Sequence, residues 1–387
     1  MARIAVAHAD LMAKGGSEAV CMNALEALQG VHEVTLLTLT SPDLNELNRY
    51  FRTEVRDVDV RRPRWAALLL RRVDASRGDL RNALLNRFVA DCRDEFDLVV
   101  GTDDELSVRG PLVQYVHAPR FARLAVSKRV GEDRFRDHLS DRLTWKFGNY
   151  DPELVRSSTL LADSGWTADV VQDAYDERPT VIHPPVDTRG FDEAAVPWGG
   201  REPGFVAVGR VAPDKDVLRN VEIVDRVRDR GHDVHLHLVG PEADDEYARE
   251  VERAAADREY VNLDGEVSRE RLVELVSTHR YGLHAARHDG FPTAVAELVA
   301  GGTLPFVPDR GSQPDIVGSD DLTYGTTDEA AEQIDRVLSN SERARKLRRA
   351  TPEIEDRFGK RRFHRKMREV VAEELSVEQP TPPRPKV

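Results

Sequence analysis

Short apolar runs, each followed by a helical pattern, recur along the whole chain. Residues 3–8 predict a buried first strand and residues 34–39 a second, with an amphipathic helix between them. Further strands are predicted at 97–102, 112–117, 158–164, 180–187, 204–209, 234–240 and 282–285. This alternation of strands and helices is typical of α/β proteins with parallel sheets.

The alternation starts afresh after a polar segment that contains glycine and proline. We therefore predict two Rossmann-like domains with a cleft between them, over residues 1–186 and 204–351, joined by a linker at 187–203. A charged helix over 352–375 is expected to pack back toward the first domain. The proline-rich residues 376–387 are expected to be a disordered tail.

One stretch of the second half, residues 288–302, combines a loop, a Gly-Phe-Pro turn and a short helix. Asp289 lies on the loop, and Glu297 is expected in the first turn of the helix, where free backbone N–H groups favour an anion. Gly301 and Gly302 predict a left-handed C-terminal cap. The stretch suits a ligand with a phosphate in its middle and hydroxyls at both ends, such as a nucleotide-sugar. An ordinary capped helix with acids in its first turn is the alternative.

A glycine pair, Gly15-Gly16, stands at the turn between the first strand and its helix. Ser17 is the expected N-cap, without a capping box. The pair allows a diphosphate or sugar to approach the backbone closely, and a plain tight turn is the alternative. It is not the G-x-G-x-x-G fingerprint, so a dehydrogenase is disfavoured.

His117 is predicted at the carboxyl end of a strand. Open α/β sheets bind ligands beyond the carboxyl ends of their strands. A functional and a structural role for this histidine both remain open.

Composition restricts the class of protein further. The 387 residues are 40% hydrophobic and 32% charged, with a net charge of −13, which disfavours a nucleic-acid partner. Only eight of the 56 basic residues are lysine, as expected for a salt-loving source or a GC-rich genome. No apolar run is long enough for a membrane span or a signal peptide. Cys21 and Cys92 are expected to be buried thiols, so disulfides and zinc are disfavoured and the cytoplasm is the expected location.

Residues 61–72 place a tryptophan and an apolar run between arginines. This composition is that of an interfacial membrane helix, which would give peripheral contact with the cytoplasmic face of a membrane. A helix docked on its own domain is the alternative.

Taken in order, the motifs resemble the retaining family-4 glycosyltransferases of GT-B fold, the glycosyl transferases of group 1. The resemblance covers nearly the whole chain. It is carried by Gly15-Gly16, His117, Ile182-His183-Pro184-Pro185-Val186-Asp187, Val208-Gly209-Arg210, Pro213-Asp214-Lys215, and an acid pair at Asp289 and Glu297.

The resemblance implies an acceptor-side first domain and a second domain that binds the donor nucleotide. It implies catalytic roles for His117 and Asp289, with Arg210 and Lys215 on the donor diphosphate and Glu297 on the ribose. The full implied donor set is Gly15, Gly16, Arg210, Lys215, Phe291, Pro292, Thr293 and Glu297. No cofactor or metal is expected, because two cations and a helix N-terminus can stabilise the charge that develops on the leaving diphosphate.

The implied reaction is retaining transfer of a hexose from GDP-mannose or a UDP-hexose to a glycan or lipid-linked saccharide, in surface-glycan or glycoprotein oligosaccharide assembly. Mannosyltransferases that extend lipid-linked oligosaccharides are the most similar subgroup. Asp289 replaces the family's glutamate and Pro292 its second glycine, which removes a backbone N–H, so a change in donor choice or rate is expected. The alternatives are a nucleotide-sugar 2-epimerase and a non-catalytic nucleotide-sugar-binding protein.

Overall fold

A computed structural model of the chain describes residues 1–64, 78–119, 146–287 and 289–377. The chain folds into two compact units. The first comprises Met1–Pro185 together with the segment that begins at Lys360, and the second comprises Val186–Gly359.

The first unit is built on a seven-stranded sheet. All its paired strands are parallel, in the order β3-β2-β1-β4-β5-β6-β7. The strands are β1 Arg3–Ala7, β2 Glu33–Leu37, β3 Val58–Arg61, β4 Leu98–Gly101, β5 Leu112–Val116, β6 Thr159–Ala162 and β7 Thr180–Val181.

Helices cover this sheet and close its core. They are α1 Gly16–Leu28, α2 Leu44–Phe51, α3 Gly78–Cys92, α4 Pro152–Arg156, α5 Gly165–Tyr175 and, from the end of the chain, α14 Lys360–Ser376. Phe363, Met367 and Val371 of α14 join the apolar face of α1 in one buried cluster. Burial of these side chains holds the last helix in the first unit.

The second unit has a six-stranded parallel sheet in the order β10-β9-β8-β11-β12-β13. Its strands are β8 Glu202–Val208, β9 Leu236–Val239, β10 Val261–Gly265, β11 His279–Leu283, β12 Leu304–Pro308 and β13 Thr323–Tyr324. Its helices are α6 Val217–Asp229, α7 Asp245–Ala256, α8 Arg269–Thr278, α9 Thr293–Ala300, α10 Gln313–Val317, α11 Thr327–Leu338, α12 Ser341–Ala350 and α13 Ile354–Phe358.

The two parallel sheets confirm the predicted α/β class of two Rossmann-like domains. In the first sheet the strand order reverses between β1 and β4, and in the second between β8 and β11. Where the strand order reverses, the loops after the two neighbouring strands run to opposite faces of the sheet, which leaves a crevice in which ligands bind. Each unit therefore has one preferred place for a binding site.

Two boundaries differ from the sequence-based expectation. Residues 187–203, expected as a linker, lie in the second unit, where Phe191 is buried in a cluster with Val206 and Val276. The single helix expected over 352–375 is two helices, α13 and α14, because Gly359 is extended and ends the first of them.

The segment expected to contact a membrane is described only in part. Arg61 ends β3, and its guanidinium donates to Glu95 over 2.6 Å. The tryptophan and the apolar run that follow lie outside the described residues, as does the expected tail beyond residue 377. None of the helices within the described ranges is long and apolar enough to cross a membrane.

Both cysteines are free thiols among the residues the structure describes. Cys21 is fully buried, and burial raises its pKa to about 12, whereas Cys92 is partly exposed, contrary to expectation. A thiol with so high a pKa carries almost no thiolate at neutral pH, so Cys21 is a packing residue.

Candidate functional site

An ion pair between Lys215 and Asp289 lies at the carboxyl edge of the second sheet. Lys215 ends the short helical turn after β8, and its Nζ donates to Asp289 Oδ1 over 2.7 Å and to Oδ2 over 2.9 Å. The two side chains are 22% and 18% exposed. Their sequence separation is 74 residues, so the strand order, which places β11 beside β8, brings them together.

His284 joins this pair from the end of β11. Its Nε2 lies 3.1 Å from Asp289 Oδ2. Tyr324 Oη donates to its backbone oxygen over 2.7 Å, and its own N–H donates to Phe306 O over 3.1 Å, so the backbone of His284 is held firmly. No role was predicted for His284, although it directly follows a strand, the same position that singled out His117.

These partners keep Asp289 ionised. Burial alone would raise its pKa, but the hydrogen bond and charge of His284, together with those of Lys215, lower the pKa well below the usual carboxyl range. Asp289 is therefore a hydrogen-bond acceptor and a fixed negative charge at neutral pH, and it has no proton to give as a general acid.

Arg210 lies on the same edge, directly after β8. Its guanidinium donates to Asp214 over 3.2 Å, and both side chains are more than half exposed. Arg210, Lys215 and His284 line one cavity. A Cβ on Gly240 would lie 2.0 Å from Gly209 O, so the ends of β8 and β9 can approach this closely only because a glycine is there.

Glu297 is not where the sequence analysis expected it. Pro292 is extended and forms the N-cap, so α9 begins at Thr293 and Glu297 is its fifth residue, beyond the first turn. Its carboxylate pairs with Arg269, which also donates to Asp187 O over 2.7 Å. Burial raises the pKa of Glu297, and the charge of Arg269 opposes that shift.

In the turn before α9, Phe291 packs into the core and Pro292 forms the N-cap. The Phe291 ring packs edge-on against Phe358 with centroids 5.1 Å apart, so this side chain faces the core of its own unit. Pro292 supplies no side-chain cap, and Thr293 is the first helical residue. At the other end of the helix, Gly302 has a φ of +79°, which confirms the left-handed cap.

The glycine pair of the first unit forms the start of α1. Gly15 is the N-cap and Gly16 the first helical residue, in place of the expected cap at Ser17. Glu18 Oε2 accepts from Gly15 N over 2.7 Å, which is the glutamate half of a capping box. A Cβ on Gly15 would lie 2.8 Å from that oxygen, whereas one on Gly16 would meet none of the described atoms within 4 Å.

Behind this loop lies a buried polar network that the sequence analysis missed. His8, at the end of β1, lies 3.2 Å from Thr102 Oγ1 and 3.5 Å from Glu18 Oε1. Burial lowers the pKa of His8, but the charges of Asp103 and Glu18 outweigh burial and raise it. The network joins the ends of β1 and β4, where the strand order reverses, and so braces the glycine loop.

His117 directly follows β5, as predicted. Its Nδ1 lies 3.7 Å from Asp163 Oδ2, with the histidine 20% and the aspartate 5% exposed. Burial lowers the pKa of His117, but Asp163 outweighs burial and raises it. Among the described residues, His117 Nε2 is buried and has no hydrogen-bond partner. A buried nitrogen of this kind is available to a ligand.

Comparison with known proteins identifies the domain that carries the Lys215 and Asp289 pair. Residues 189–354 match the family model described as glycosyl transferases group 1. The second unit is a glycosyl transferases group 1 domain. This confirms the predicted family resemblance for that unit.

One curated relative and several solved structures are similar to the chain. The GDP-Man:Man(3)GlcNAc(2)-PP-Dol alpha-1,2-mannosyltransferase of Dictyostelium discoideum is 23% identical over 229 residues, 54% of this chain. The matched region spans 45% of that relative, less than half of its length.

Among solved structures, Anabaena Alr3699/HepE in complex with UDP and glucose has a TM-score of 0.68 at 15% identity, covering 96% of this chain and 100% of that one. Sucrose-phosphate synthase (tll1590) from Thermosynechococcus elongatus has a TM-score of 0.72 at 14% identity, covering 98% and 100%. At this identity the likeness establishes the fold alone, and it confirms the predicted GT-B class.

Within the group 1 domain, the predicted site residues divide into two groups. Lys215 and Asp289 are in direct contact, and Arg210 shares a cavity with Lys215. Glu297 instead pairs with Arg269, and the Phe291 side chain packs in the core of its unit. The first group brings two cations and a carboxylate to one edge of the sheet, while the second group makes contacts within its own unit.

Proposed function

We propose that the chain is a hexosyltransferase whose group 1 domain binds a nucleoside diphosphate sugar. The observation that carries the proposal is the cluster of Lys215, Asp289 and His284. It lies at the point where the strand order of the second sheet reverses, between β8 and β11. This is the position that open α/β sheets use for nucleotides, and it falls within the matched family region.

Transfer of the sugar leaves negative charge on the diphosphate. Lys215 is a fixed cation at this edge of the sheet, because both of its hydrogen bonds to Asp289 hold it there. Arg210 is a second cation, and its exposed pair with Asp214 is worth about 0–1 kcal/mol, so a phosphate can displace that carboxylate. Two positioned cations stabilise the leaving group.

Asp289 has a second task at the sugar. A carboxylate has about four lone-pair directions, and Lys215 and His284 occupy three of them. Among the described residues no other side chain occupies the fourth position, which suits a sugar hydroxyl. Because Asp289 is one methylene shorter than glutamate, it is the residue where we expect the choice of sugar to be decided.

The substrates are part of the proposal. GDP-mannose and UDP-hexoses are the candidate donors, and a glycan or lipid-linked saccharide is the candidate acceptor, with retention of configuration. A mannosyltransferase that acts on a dolichol-linked saccharide, by its name, is among the relatives, and a solved neighbour binds UDP and glucose. In the first unit, Gly16 and His117 are the candidate contacts to a sugar.

A panel of nucleotide-sugars tests the proposal. The donor should raise the melting temperature by mass action, and the same donor with a lipid extract should yield a glycosylated product and free nucleoside diphosphate. Donor that returns epimerised without an acceptor would identify a 2-epimerase. Binding without either reaction would identify a nucleotide-sugar-binding protein, and no stabilisation by any donor would refute the proposal.

Replacing Gly16 with alanine is expected to lower activity without lowering stability. In G16A the new methyl group has open space among the described atoms, and at the first helical position alanine is expected to be at least as favourable as glycine. We expect a melting temperature equal to or above that of the wild type and hexosyl transfer reduced at least about tenfold, because the methyl group occupies space that a sugar or diphosphate needs beside this loop.

The neighbouring glycine is the matched control. In G15A the methyl group meets Glu18 Oε2, so stability is expected to fall together with activity. Full transfer by G16A would show that this loop does not contact a substrate.

A further inference from the structure

Three histidines lie together at the amino ends of the central strands of the second sheet. His235 directly precedes β9, His237 lies within it, and His279 is the first residue of β11. One ligand nitrogen from each ring lies within 4.8 Å of those of the other two. In a parallel sheet this edge is opposite the one that carries Lys215 and Asp289.

The spacing of the rings is close to that of a metal site. His235 Nε2 and His279 Nε2 lie 3.0 Å apart, and two nitrogens on one tetrahedral zinc ion at its usual bond length are about 3.4 Å apart. Gly204 of β8 makes room for this arrangement, because a Cβ there would lie 2.3 Å from His235 Nε2. Bringing in the third ring needs a shift on the order of 1 Å.

Hydrogen bonds on the far side of two rings set their tautomers. His279 Nδ1 lies 2.7 Å from Leu275 O, which can only accept, so Nδ1 carries the proton and Nε2 keeps a lone pair toward the cluster. His237 Nδ1 lies 2.7 Å from Asp264 Oδ2, which leaves its Nε2 as the ligand atom. Carbonyl and carboxylate partners of this kind orient metal-bound imidazoles.

Charge also favours a cation here. Glu202 Oε2, at the start of β8, lies 3.6 Å from His235 Nε2 and 3.9 Å from His279 Nε2. Its side chain is 60% exposed and can turn inward as a fourth ligand.

We propose that His235, His237 and His279, with Glu202 as fourth ligand, bind one divalent transition-metal ion, for which Zn²⁺ is the first candidate. Imidazole and carboxylate ligands in a tetrahedral set suit zinc. The ion joins the amino ends of β8, β9 and β11 and stabilises the second unit. The ion lies at the edge of the sheet opposite Lys215 and Asp289 and takes no part in hexosyl transfer. This site does not depend on the proposed function.

Calorimetric titration of ZnCl₂ into the untagged, EDTA-treated full chain tests the proposal. We expect one equivalent to bind and the melting temperature to rise, and Co²⁺ in place of Zn²⁺ should give the intense visible bands of a tetrahedral site. H237Q should weaken binding more than about a hundredfold, and D264N, which keeps all three ligands, about 10–100-fold.

His232 provides the matched control, since it belongs to the same unit but pairs with Asp335. H232Q should bind zinc as the wild type does. Melting curves in EDTA establish that each variant folds. If H237Q does not fold, the zinc affinity of D264N tests the proposal. The proposal is overturned if the folded wild type binds no single equivalent of zinc, or if the variants at both positions bind it with unchanged affinity.

Discussion

Replacing Lys215 with alanine is expected to lower kcat/KM for hexosyl transfer at least about a thousandfold, which corresponds to about 4 kcal/mol of transition-state stabilisation. The variant removes the cation that we assign to the leaving diphosphate. Among the described residues it also leaves Asp289, a carboxylate only 18% exposed, with His284 as its one remaining side-chain partner. Initial rates with the donor selected by the nucleotide-sugar panel measure the effect.

Lys346 supplies the control for this variant. It is an exposed lysine of α12 in the same unit, so K346A removes the same charge far from β8 and β11 in the sequence. We expect K346A to keep wild-type rates. Transfer by K215A within about tenfold of the wild type would exclude Lys215 from the reaction.

Replacing Asp289 with asparagine is expected to reduce transfer about a hundredfold or more. The shape of the side chain is kept, but the charge that orients Lys215 through two hydrogen bonds is lost. D289E is the informative partner, because it restores the carboxylate with one more methylene. It should recover activity and change the ratio of kcat/KM values between competing donor sugars. Equal rates for D289N and the wild type would contradict the role of the charge.

The effect of D289N on stability is expected to depend on pH. The pKa of Asp289 is lowered in the folded chain, so its ionised form contributes stability above the ordinary carboxyl pKa of about 4, and that contribution is lost as the pH falls toward the lowered value. The difference in melting temperature between the wild type and D289N should therefore shrink between neutral pH and about pH 3. A difference that is constant over this range would show that the ion pair does not stabilise the fold.

Local patterns were sufficient for most of the buried strands. β1 and β5 were predicted within a residue or two, because strands covered on both faces are continuous apolar runs. β3 and β10 were missed because they are edge strands with mostly polar, exposed residues, which give no apolar run. β12 was missed although it is buried, because prolines stand at two of its five positions, and β13 has only two residues. The position of Glu297 was wrong because the helix start depends on the backbone angles of Pro292.

Those site residues that belong to a single local motif could be predicted from the sequence. Lys215 and Asp289 were found through motifs, but their direct contact, and the part played by His284, follow from the order of β8 and β11. The histidine cluster could not be predicted, since its rings come from β9 and β11, and only the parallel pairing of both strands with β8 brings them together.

The central claim is that the diphosphate of a nucleotide-sugar binds at Lys215 in the second unit. Calorimetric titration of GDP and UDP into the wild type, K215A and K346A tests it most directly. We expect one nucleoside diphosphate to bind the wild type and K346A with equal affinity, and K215A to bind it at least about thirtyfold more weakly, a loss of about 2 kcal/mol. Failure of both nucleotides to bind the folded wild type, or equal affinity for K215A, would contradict the claim.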